Sequence, residues 1–179
     1  MIINFLDQTT FLHCPRCASK DIASHEGKAM QCPACGFLYF HNCASAVAGV
    51  LEYDGQIILG VRSRNPLKGM LDLPGGFVDY NESLEEALAR ETEEELNVKP
   101  RAFTYFSSSH NEYEYREVNY FCNVAFFRCR LDSLDGIRAG DDFADFKLFD
   151  PTEIPLDKIA FSSVREALEK LNGSEPVTT

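Results

Sequence analysis

The stretch from Gly76 to Val98 places carboxylates where an amphipathic helix normally carries apolar side chains. One face of the predicted helix begins with the apolar residues Leu84, Ala87 and Leu88. Glu91 and Glu95 continue that face at helical spacing, and Glu94 lies beside them. Like charges four residues apart weaken a helix by about 0.2–0.5 kcal/mol per pair, so we expect a cation to compensate. Oxygen ligands suit hard divalent ions such as Mg²⁺ or Mn²⁺, which in turn suit phosphate chemistry.

The charged residues of this stretch also follow a fixed spacing. Five residues separate Gly76 from Glu82, and seven separate Glu82 from Arg90, which opens the run RETEEELNV. This spacing resembles the Nudix box, G-x5-E-x7-R-E-U-x-E-E-x-G-U with U aliphatic, of a family that hydrolyses nucleoside diphosphates linked to another moiety. Two positions depart from the box, since Thr92 replaces an aliphatic residue and Asn97 replaces glycine. Asn tolerates the left-handed conformation that ends a helix, and Thr costs only packing, so we expect the box to be catalytically intact.

The resemblance implies roles for the residues of the box. Those assigned to catalysis are Glu82, Arg90, Glu91, Glu94 and Glu95. The last three are predicted to bind the catalytic Mg²⁺ or Mn²⁺, together with a backbone carbonyl of Gly75 or Gly76, although a double glycine also suits a simple tight turn. Glu82 is expected either to add a ligand or to pair with Arg90. We expect the arginine to orient the carboxylates rather than to contact the substrate.

Residues outside the box are expected to complete the site. In related enzymes a further acidic residue acts as base or ligand, and Asp142 and Asp145 are the candidates, with a solvated acidic loop as the alternative. Candidate substrate-binding residues are Arg62, Arg64, Gly75, Gly76, Asn111, Tyr113 and Tyr115. The two arginines flank the glycine loop and could hold phosphates, although such side chains are often solvated surface. The tyrosines, predicted on a hairpin loop, could stack on a base or pack on a neighbouring strand.

The cysteines near the start of the chain form two CxxC pairs. Cys14 and Cys17 are followed, after fourteen residues, by Cys32 and Cys35. Four thiolates complete a tetrahedron, so the spacing predicts a zinc ribbon over residues 1–40 whose zinc is structural. A redox-active CxxC is the alternative, and the second pair argues against it. The other three, predicted to be buried small hydrophobes, are Cys43, Cys122 and Cys129.

Composition limits the classes of function. The 179 residues, 45% of them apolar, suffice for one domain plus a small appendage, and the net charge of −11 argues against binding to nucleic acid or an anionic membrane. The first ten residues lack the features of a signal peptide or membrane span. We therefore predict a cytoplasmic protein that acts on a small-molecule nucleotide, and we leave a homodimer open.

The elements that must position these residues are visible as alternating patterns. Strands are predicted at 46–53 and 56–62 around the turn Asp54-Gly55, and a helix at 82–96. Further strands are predicted at 101–107, 117–131 and 143–149, with a loop at 108–116 and a final helix at 162–171. The resemblance implies an α/β fold, the Nudix α/β/α sandwich with a mixed sheet, in domains 1–40 (zinc ribbon) and 41–179 (Nudix).

Two features outside the box narrow the expected substrate. The ribbon followed by Phe40-His41-Asn42 is similar to zinc-ribbon Nudix enzymes that act on NADH, FAD or ADP-ribose. The segment EIPLDKIAFSS at 153–163 is similar to that of the FAD and ADP-ribose group, and no SQPWPFPxS segment of the NADH group follows the box. We predict a metal-dependent pyrophosphatase that splits the diphosphate bridge of FAD, ADP-ribose or NADH and releases AMP. The alternatives are a housecleaning nucleoside-triphosphate pyrophosphatase and a nucleotide-sensing or protein-binding Nudix module.

Overall fold

A computed structural model describes residues 11–115 and 118–172, without the side chains of 113–119 and 172. The chain folds into two compact units. One takes the residues up to Ala44 together with Glu112–Cys122, and the other takes Ser45–Asn111 and the chain from Asn123 onward. The domain division at 1–40 and 41–179 stays a prediction.

The first unit holds three short strands in an antiparallel sheet. They are β1 (Ala23–His25), β2 (Ala29–Gln31) and β3 (Leu38–Phe40), in that spatial order. Its buried apolar residues among those described include Cys14, Ala29, Met30 and Cys32. So small a core cannot hold a fold of this size by itself, and a bound metal is the usual remedy.

A second sheet has seven strands, with the order β10-β5-β4-β9-β8 and with β6 on β5 and β7 on β4. The strands are β4 (Ala44–Tyr53), β5 (Gln56–Arg62), β6 (Leu71–Asp72), β7 (Gly75–Phe77), β8 (Arg101–Tyr115), β9 (Val118–Arg130) and β10 (Phe143–Phe149). The mixed sheet, its two helices and the four-cysteine cluster confirm the predicted α/β class. The β4–β5 hairpin also turns at Asp54-Gly55 as predicted, because both residues adopt positive φ.

The predicted loop at 108–116 is wrong, because β8 continues to Tyr115. The segment SSSHNE at 107–112 has little intrinsic strand preference. Pairing with the apolar β9 overrides that preference. Asn111 and the backbones of Tyr113 and Tyr115 therefore lie in a strand.

The helix α1 spans Leu84–Leu96, two residues shorter than predicted at its start. Ser83 ends the preceding loop as N-cap, and its hydroxyl and the Glu86 carboxylate form a reciprocal capping box. Asn97 ends the helix at φ 56°, in the expected left-handed conformation, and its Nδ2 donates to the carbonyl of Gly136. Thr92 is fully buried, and its hydroxyl donates to the carbonyl of Leu88 at 2.8 Å. The helix thus accommodates both departures from the box.

The main core lies where α1 meets the sheet. Apolar side chains of the helix, among them Ala87, Leu88 and Leu96, pack with Val47 of β4 and Phe127 of β9. The second helix, α2 (Ser162–Asn172), follows two 3-10 turns at Pro151–Glu153 and Leu156–Lys158 that the sequence pattern did not reveal. No helix in the described part of the chain is long and apolar enough to cross a membrane.

The three cysteines outside the CxxC pairs are not all buried. Cys122 and Cys129 are buried as predicted, and burial raises the pKa of Cys129 to about 12. Cys43 is exposed, so the prediction for this residue is wrong. It precedes β4 by one residue, where the strand alternation that suggested burial has not yet begun.

Candidate active site

The two glycines of β7 lie directly against the acidic helix. β7 pairs antiparallel with β4, with Gly75 opposite Ala48 and Gly76 opposite Val47. Gly75 has φ +149°, and a Cβ there would collide with the carbonyl oxygen of Val47. A Cβ on Gly76 would overlap the carboxylate of Glu91. Glycine therefore lets β7 lie close to both neighbours, with Gly75 against β4 and Gly76 against α1.

Glu95 is the buried member of the acidic face. Its side chain is only 4% exposed, and Oε2 accepts a hydrogen bond of 2.9 Å from the backbone N–H of Gly75. Burial raises the pKa of Glu95 to about 9, and the negative charges of Glu91, Asp72 and Asp142 add to the shift. Among the residues that the structure describes, Glu95 has no ion-pair partner. A buried carboxylate without a cation is costly, so the position fits a bound metal ion.

Arg90 binds most of the other carboxylates of the box. Its Nε and Nη2 donate to the two oxygens of Glu82 at 2.8 and 3.0 Å. Its Nη1 lies 2.8 Å from Glu91 and 3.3 Å from Glu94, while Nη2 also donates to the carbonyl of Phe77. These bonds raise the pKa of Arg90 further and hold that of Glu82 below its usual range. The structure brings the five predicted catalytic residues together, and their roles stay predictions.

The three predicted metal ligands of α1 lie near one another, but their carboxylate oxygens do not form a compact ligand cluster. In the described ranges, the four cysteines of the CxxC pairs are the only group of three or more His, Cys, Asp or Glu with all ligand atoms within 4.8 Å of one another. The Arg90 guanidinium contacts both Glu91 and Glu94. An oxygen-only donor set around the uncompensated Glu95 still fits a hard divalent cation.

An acidic loop between Gly140 and Phe143 lies against the end of α1. The N–H of Gly140 donates to the carbonyl of Glu95 at 2.8 Å. The negative charge of Asp141 contributes to a raised pKa of Glu91, for which burial is the main cause. The negative charge of Asp142 likewise adds to the raised pKa of Glu95, so both aspartates lie near the acidic face, although only Asp142 was a predicted site residue. Nothing in the local pattern distinguished the two residues, because the contact is made across the fold.

Asp145 lies elsewhere. It is exposed on β10, opposite Val61 of β5, and its Oδ1 accepts a bond from the next backbone N–H. Among the described residues, no hydrogen bond or ion pair joins Asp145 to the carboxylates of α1. Its predicted role as base or extra ligand stays untested.

The two arginines predicted to bind substrate differ in their surroundings. Arg62 turns inward, since Nη1 donates to Asp72 at 2.9 Å, Nε donates to the carbonyl of Pro66, and the guanidinium lies 4.9 Å from the centre of the Phe161 ring. Arg64 is exposed and pairs with the acidic loop. Asp72, which sequence reasoning missed, is 7% exposed, and burial raises its pKa to about 6 despite its guanidinium partner.

Asn111, Tyr113 and Tyr115 were also predicted to bind the substrate. Asn111 is half-buried in β8. The side chains of Tyr113 and Tyr115 lie outside the described residues. Whether any of the three reaches a substrate stays a prediction.

The four paired cysteines converge on one point. The Sγ atoms of Cys14 and Cys35 are 3.8 Å apart, and those of Cys17 and Cys32 are 3.6 Å apart. A tetrahedron with Zn–S bonds of ~2.3 Å places its sulfurs ~3.8 Å apart. Each CxxC turn is closed by a backbone bond of 2.8 Å to the carbonyl of its first cysteine. The cluster is thus compatible with a closed, structural zinc site.

Comparison with known proteins gives this arrangement a family. A family model described as NUDIX domain matches residues 42–171. The chain is 37% identical over 128 residues to an ADP-ribose pyrophosphatase of Methanocaldococcus jannaschii, covering 69% of this chain and 70% of that protein. It is 30% identical over 95 residues to the NAD-capped RNA hydrolase NudC of Vibrio atlanticus, covering 53% of this chain and only 35% of that relative. A crystal structure of a NUDIX hydrolase from Nitrosomonas europaea superposes with a TM-score of 0.66 at 25% identity, covering 92% of this chain and 94% of that one.

The chain therefore belongs to the Nudix family. It is a Nudix pyrophosphate hydrolase, of a class that requires a divalent metal ion and acts on small-molecule nucleotides.

Proposed function

We propose that this enzyme hydrolyses the diphosphate bridge of a dinucleotide-like substrate, namely FAD, ADP-ribose or NADH, and releases AMP. The observation that carries the proposal is the buried Glu95 carboxylate, held by Gly75 and lacking a cationic partner among the described residues. The relative named ADP-ribose pyrophosphatase supports a diphosphate-bridged substrate. We place ADP-ribose first among the three on that ground.

The residues of the box have different proposed roles in the metal site. Glu91, Glu94 and Glu95 would hold Mg²⁺ or Mn²⁺, which when bound polarises the phosphoryl group and makes water nucleophilic near neutral pH. Arg90 orients Glu91 and Glu94, and Glu82 anchors that arginine by two hydrogen bonds. Gly76 of β7 allows the strand to approach the Glu91 carboxylate without a side chain in the way.

The remaining assignments concern substrate and proton transfer. We propose Asp142 as base or further ligand, because its loop is bonded to the end of α1. Arg64 is a better candidate for binding phosphate than Arg62, whose guanidinium is committed to internal contacts. The aromatic side chains at 113 and 115 stay candidates for stacking on a base.

We further propose that Cys14, Cys17, Cys32 and Cys35 bind one structural Zn²⁺. Their sulfur spacing matches a tetrahedral site, and the small buried core around them needs such support. On this interpretation residues 1–40 are a zinc ribbon and residues 41–179 are the Nudix domain. We propose a cytoplasmic location, as the sequence predicts, where a reducing environment favours metal binding by the cysteines over disulfides. Size-exclusion chromatography would test the homodimer.

A turnover screen with Mg²⁺ or Mn²⁺ tests the substrate. It compares FAD, ADP-ribose, NADH, nucleoside triphosphates and an NAD-capped RNA, the last because of the relatives named NudC. The proposal requires a diphosphate-bridged small molecule to have the highest kcat/KM, with AMP among the products. Preference for triphosphates with release of inorganic diphosphate would favour the housecleaning alternative, and binding without turnover would favour the sensing module. Preference for the capped RNA would overturn the expectation that nucleic acid is not a partner.

A further inference from the structure

The guanidinium of Arg64 bridges the two aspartates of the acidic loop. Its Nη2 lies 2.9 Å from Oδ1 of Asp141, and its Nη1 lies 2.9 Å from Oδ1 of Asp142. The three side chains are 65%, 48% and 47% exposed. The pair with Asp141 is an exposed one, which is weak and screened by solvent, so the guanidinium can give up that partner at little cost.

The acidic loop does not depend on Arg64 for its position. The N–H of Ser63 donates to the carbonyl of Asp142, and the N–H of Gly140 donates to the carbonyl of Glu95, each at 2.8 Å. The N–H of Phe143 donates back to the carbonyl of Gly140. Backbone bonds thus hold the loop between β5 and α1, and the arginine side chain can move while the loop stays in place.

The contact between Arg64 and Asp142 is also incomplete. Oδ1 of Asp142 is buried, and although the guanidinium lies at ion-pair distance, the geometry does not make a hydrogen bond. An oxygen that is shielded from water and poorly paired gains from a better-placed cation. The loop thus presents a carboxylate oxygen that a divalent ion could satisfy better than the arginine does.

Arg62, two residues earlier, is instead fixed in place by its contacts. Three contacts, to Asp72, to Pro66 and to the ring of Phe161, hold its guanidinium. The Arg62 side chain is 16% exposed and that of Arg64 is 65% exposed, so Arg64 is the one of the two whose guanidinium is free to move. Its charge is therefore the one that can be redirected.

We propose that Arg64 is a movable counter-ion of the acidic loop. Without metal, its guanidinium neutralises Asp141 and Asp142. When a divalent cation binds beside these carboxylates, the guanidinium is released and turns to the diphosphate of the substrate. The inference rests on the proposed function, since it takes the metal site to be at Glu91, Glu94 and Glu95. It explains how a strongly acidic enzyme supplies a cation to an anionic substrate only when the metal is present.

The first test measures metal binding alone. Mn²⁺ is titrated calorimetrically into the wild-type protein and into Arg64→Gln, Arg64→Lys and Arg101→Gln variants. Because Arg64→Gln removes a cation that competes for the same carboxylates, the Mn²⁺ Kd should fall by about three- to tenfold. Arg64→Lys keeps the charge and should stay near wild type. Arg101, an exposed arginine paired with Asp132 instead, serves as the matched control and should change the Kd by less than about twofold.

The second test measures diphosphate binding, with α,β-methylene-ADP in the presence of saturating Mg²⁺. Loss of the released guanidinium should weaken binding by about tenfold in Arg64→Gln and leave Arg101→Gln unchanged. An unchanged Mn²⁺ Kd in Arg64→Gln would overturn the counter-ion role, and unchanged binding of the analogue would overturn the transfer to substrate. If the wild type binds Mn²⁺ and the analogue but hydrolyses nothing, the proposed function fails. The Mn²⁺ titration and the analogue-binding measurement still test the role of Arg64 in that case. If Mn²⁺ does not bind, or binds equally well to Glu95→Gln, the metal site is wrong and this inference fails with it.

Discussion

The backbone N–H of Gly75 donates a hydrogen bond of 2.9 Å to Oε2 of Glu95. This bond joins β7 to α1 at a carboxylate that is almost fully buried. It fixes Glu95 where its charge is most costly in the absence of a metal ion and most useful in its presence. The burial of this carboxylate is consistent with its predicted role as a metal ligand.

Replacing Glu94 or Glu95 by glutamine should lower kcat by at least about a hundredfold, because each change removes a charged ligand from the site that activates water. Circular dichroism should show an intact fold. The Glu93→Gln variant is the control, since Glu93 lies on the same helix but pairs with Lys99 outside the acidic face. Near-normal turnover of both test variants at saturating Mg²⁺ would show that the metal binds elsewhere.

The Asp72→Asn variant tests the cost of a buried charge. Burial raises the pKa of Asp72 to about 6, above its usual value of 3.8, so the folded protein holds this proton more tightly than the unfolded chain does. The stability contributed by Asp72 is therefore complete below about pH 4 and is lost as the pH rises through 6. Asparagine does not titrate. The free energy of unfolding of the variant, relative to wild type, should increase by about 1 kcal/mol between pH 5 and 7.5. A difference that stays constant or decreases over that range would contradict the assignment.

Protein purified without added metal should contain about one zinc per chain. Cys32→Ser should lose that zinc and much of its thermal stability, because a closed thiolate site contributes directly to folding. Cys43→Ser makes the same chemical change at an exposed cysteine outside the cluster and should retain the metal. Unchanged zinc content in Cys32→Ser, measured by elemental analysis, would remove the ribbon assignment.

The left-handed cap at Asn97 should discriminate between glycine and alanine. Asn97→Ala keeps a Cβ at φ 56° but removes the side-chain amide that makes this conformation tolerable. The change should destabilise the protein by about 1 kcal/mol. Asn97→Gly also loses the bond to the Gly136 carbonyl but relieves the backbone, and should cost less. Urea denaturation of the two variants gives the comparison, and equal or reversed losses would contradict the role of the cap.

Local patterns predicted the parts of the site that lie close together in the sequence. The face carrying Glu91 and Glu95 follows from helical spacing alone, and the position of Asn97 follows from backbone preference. The four cysteines likewise carry their geometry in their spacing. Each of these features depends on few residues outside its own element.

Contacts made across the fold were not predictable in the same way. Asp72 carried no signal in the sequence, and only the fold shows that it pairs with Arg62. The pairing of Arg64 with Asp141 joins residues 77 positions apart and has no local signal. The length of β8 was missed for a related reason, since pairing with β9 rather than intrinsic preference extends it.

The most direct test of the central claim identifies which bond breaks. ADP-ribose is incubated with the enzyme and Mg²⁺ in ¹⁸O-labelled water, and the products are analysed by mass spectrometry. Attack at phosphorus of the diphosphate bridge predicts AMP and ribose 5-phosphate, with one labelled oxygen on one of the two phosphates and no inorganic diphosphate. Unlabelled phosphates would contradict attack of water at phosphorus, and faster hydrolysis of nucleoside triphosphates with release of diphosphate would contradict the dinucleotide substrate.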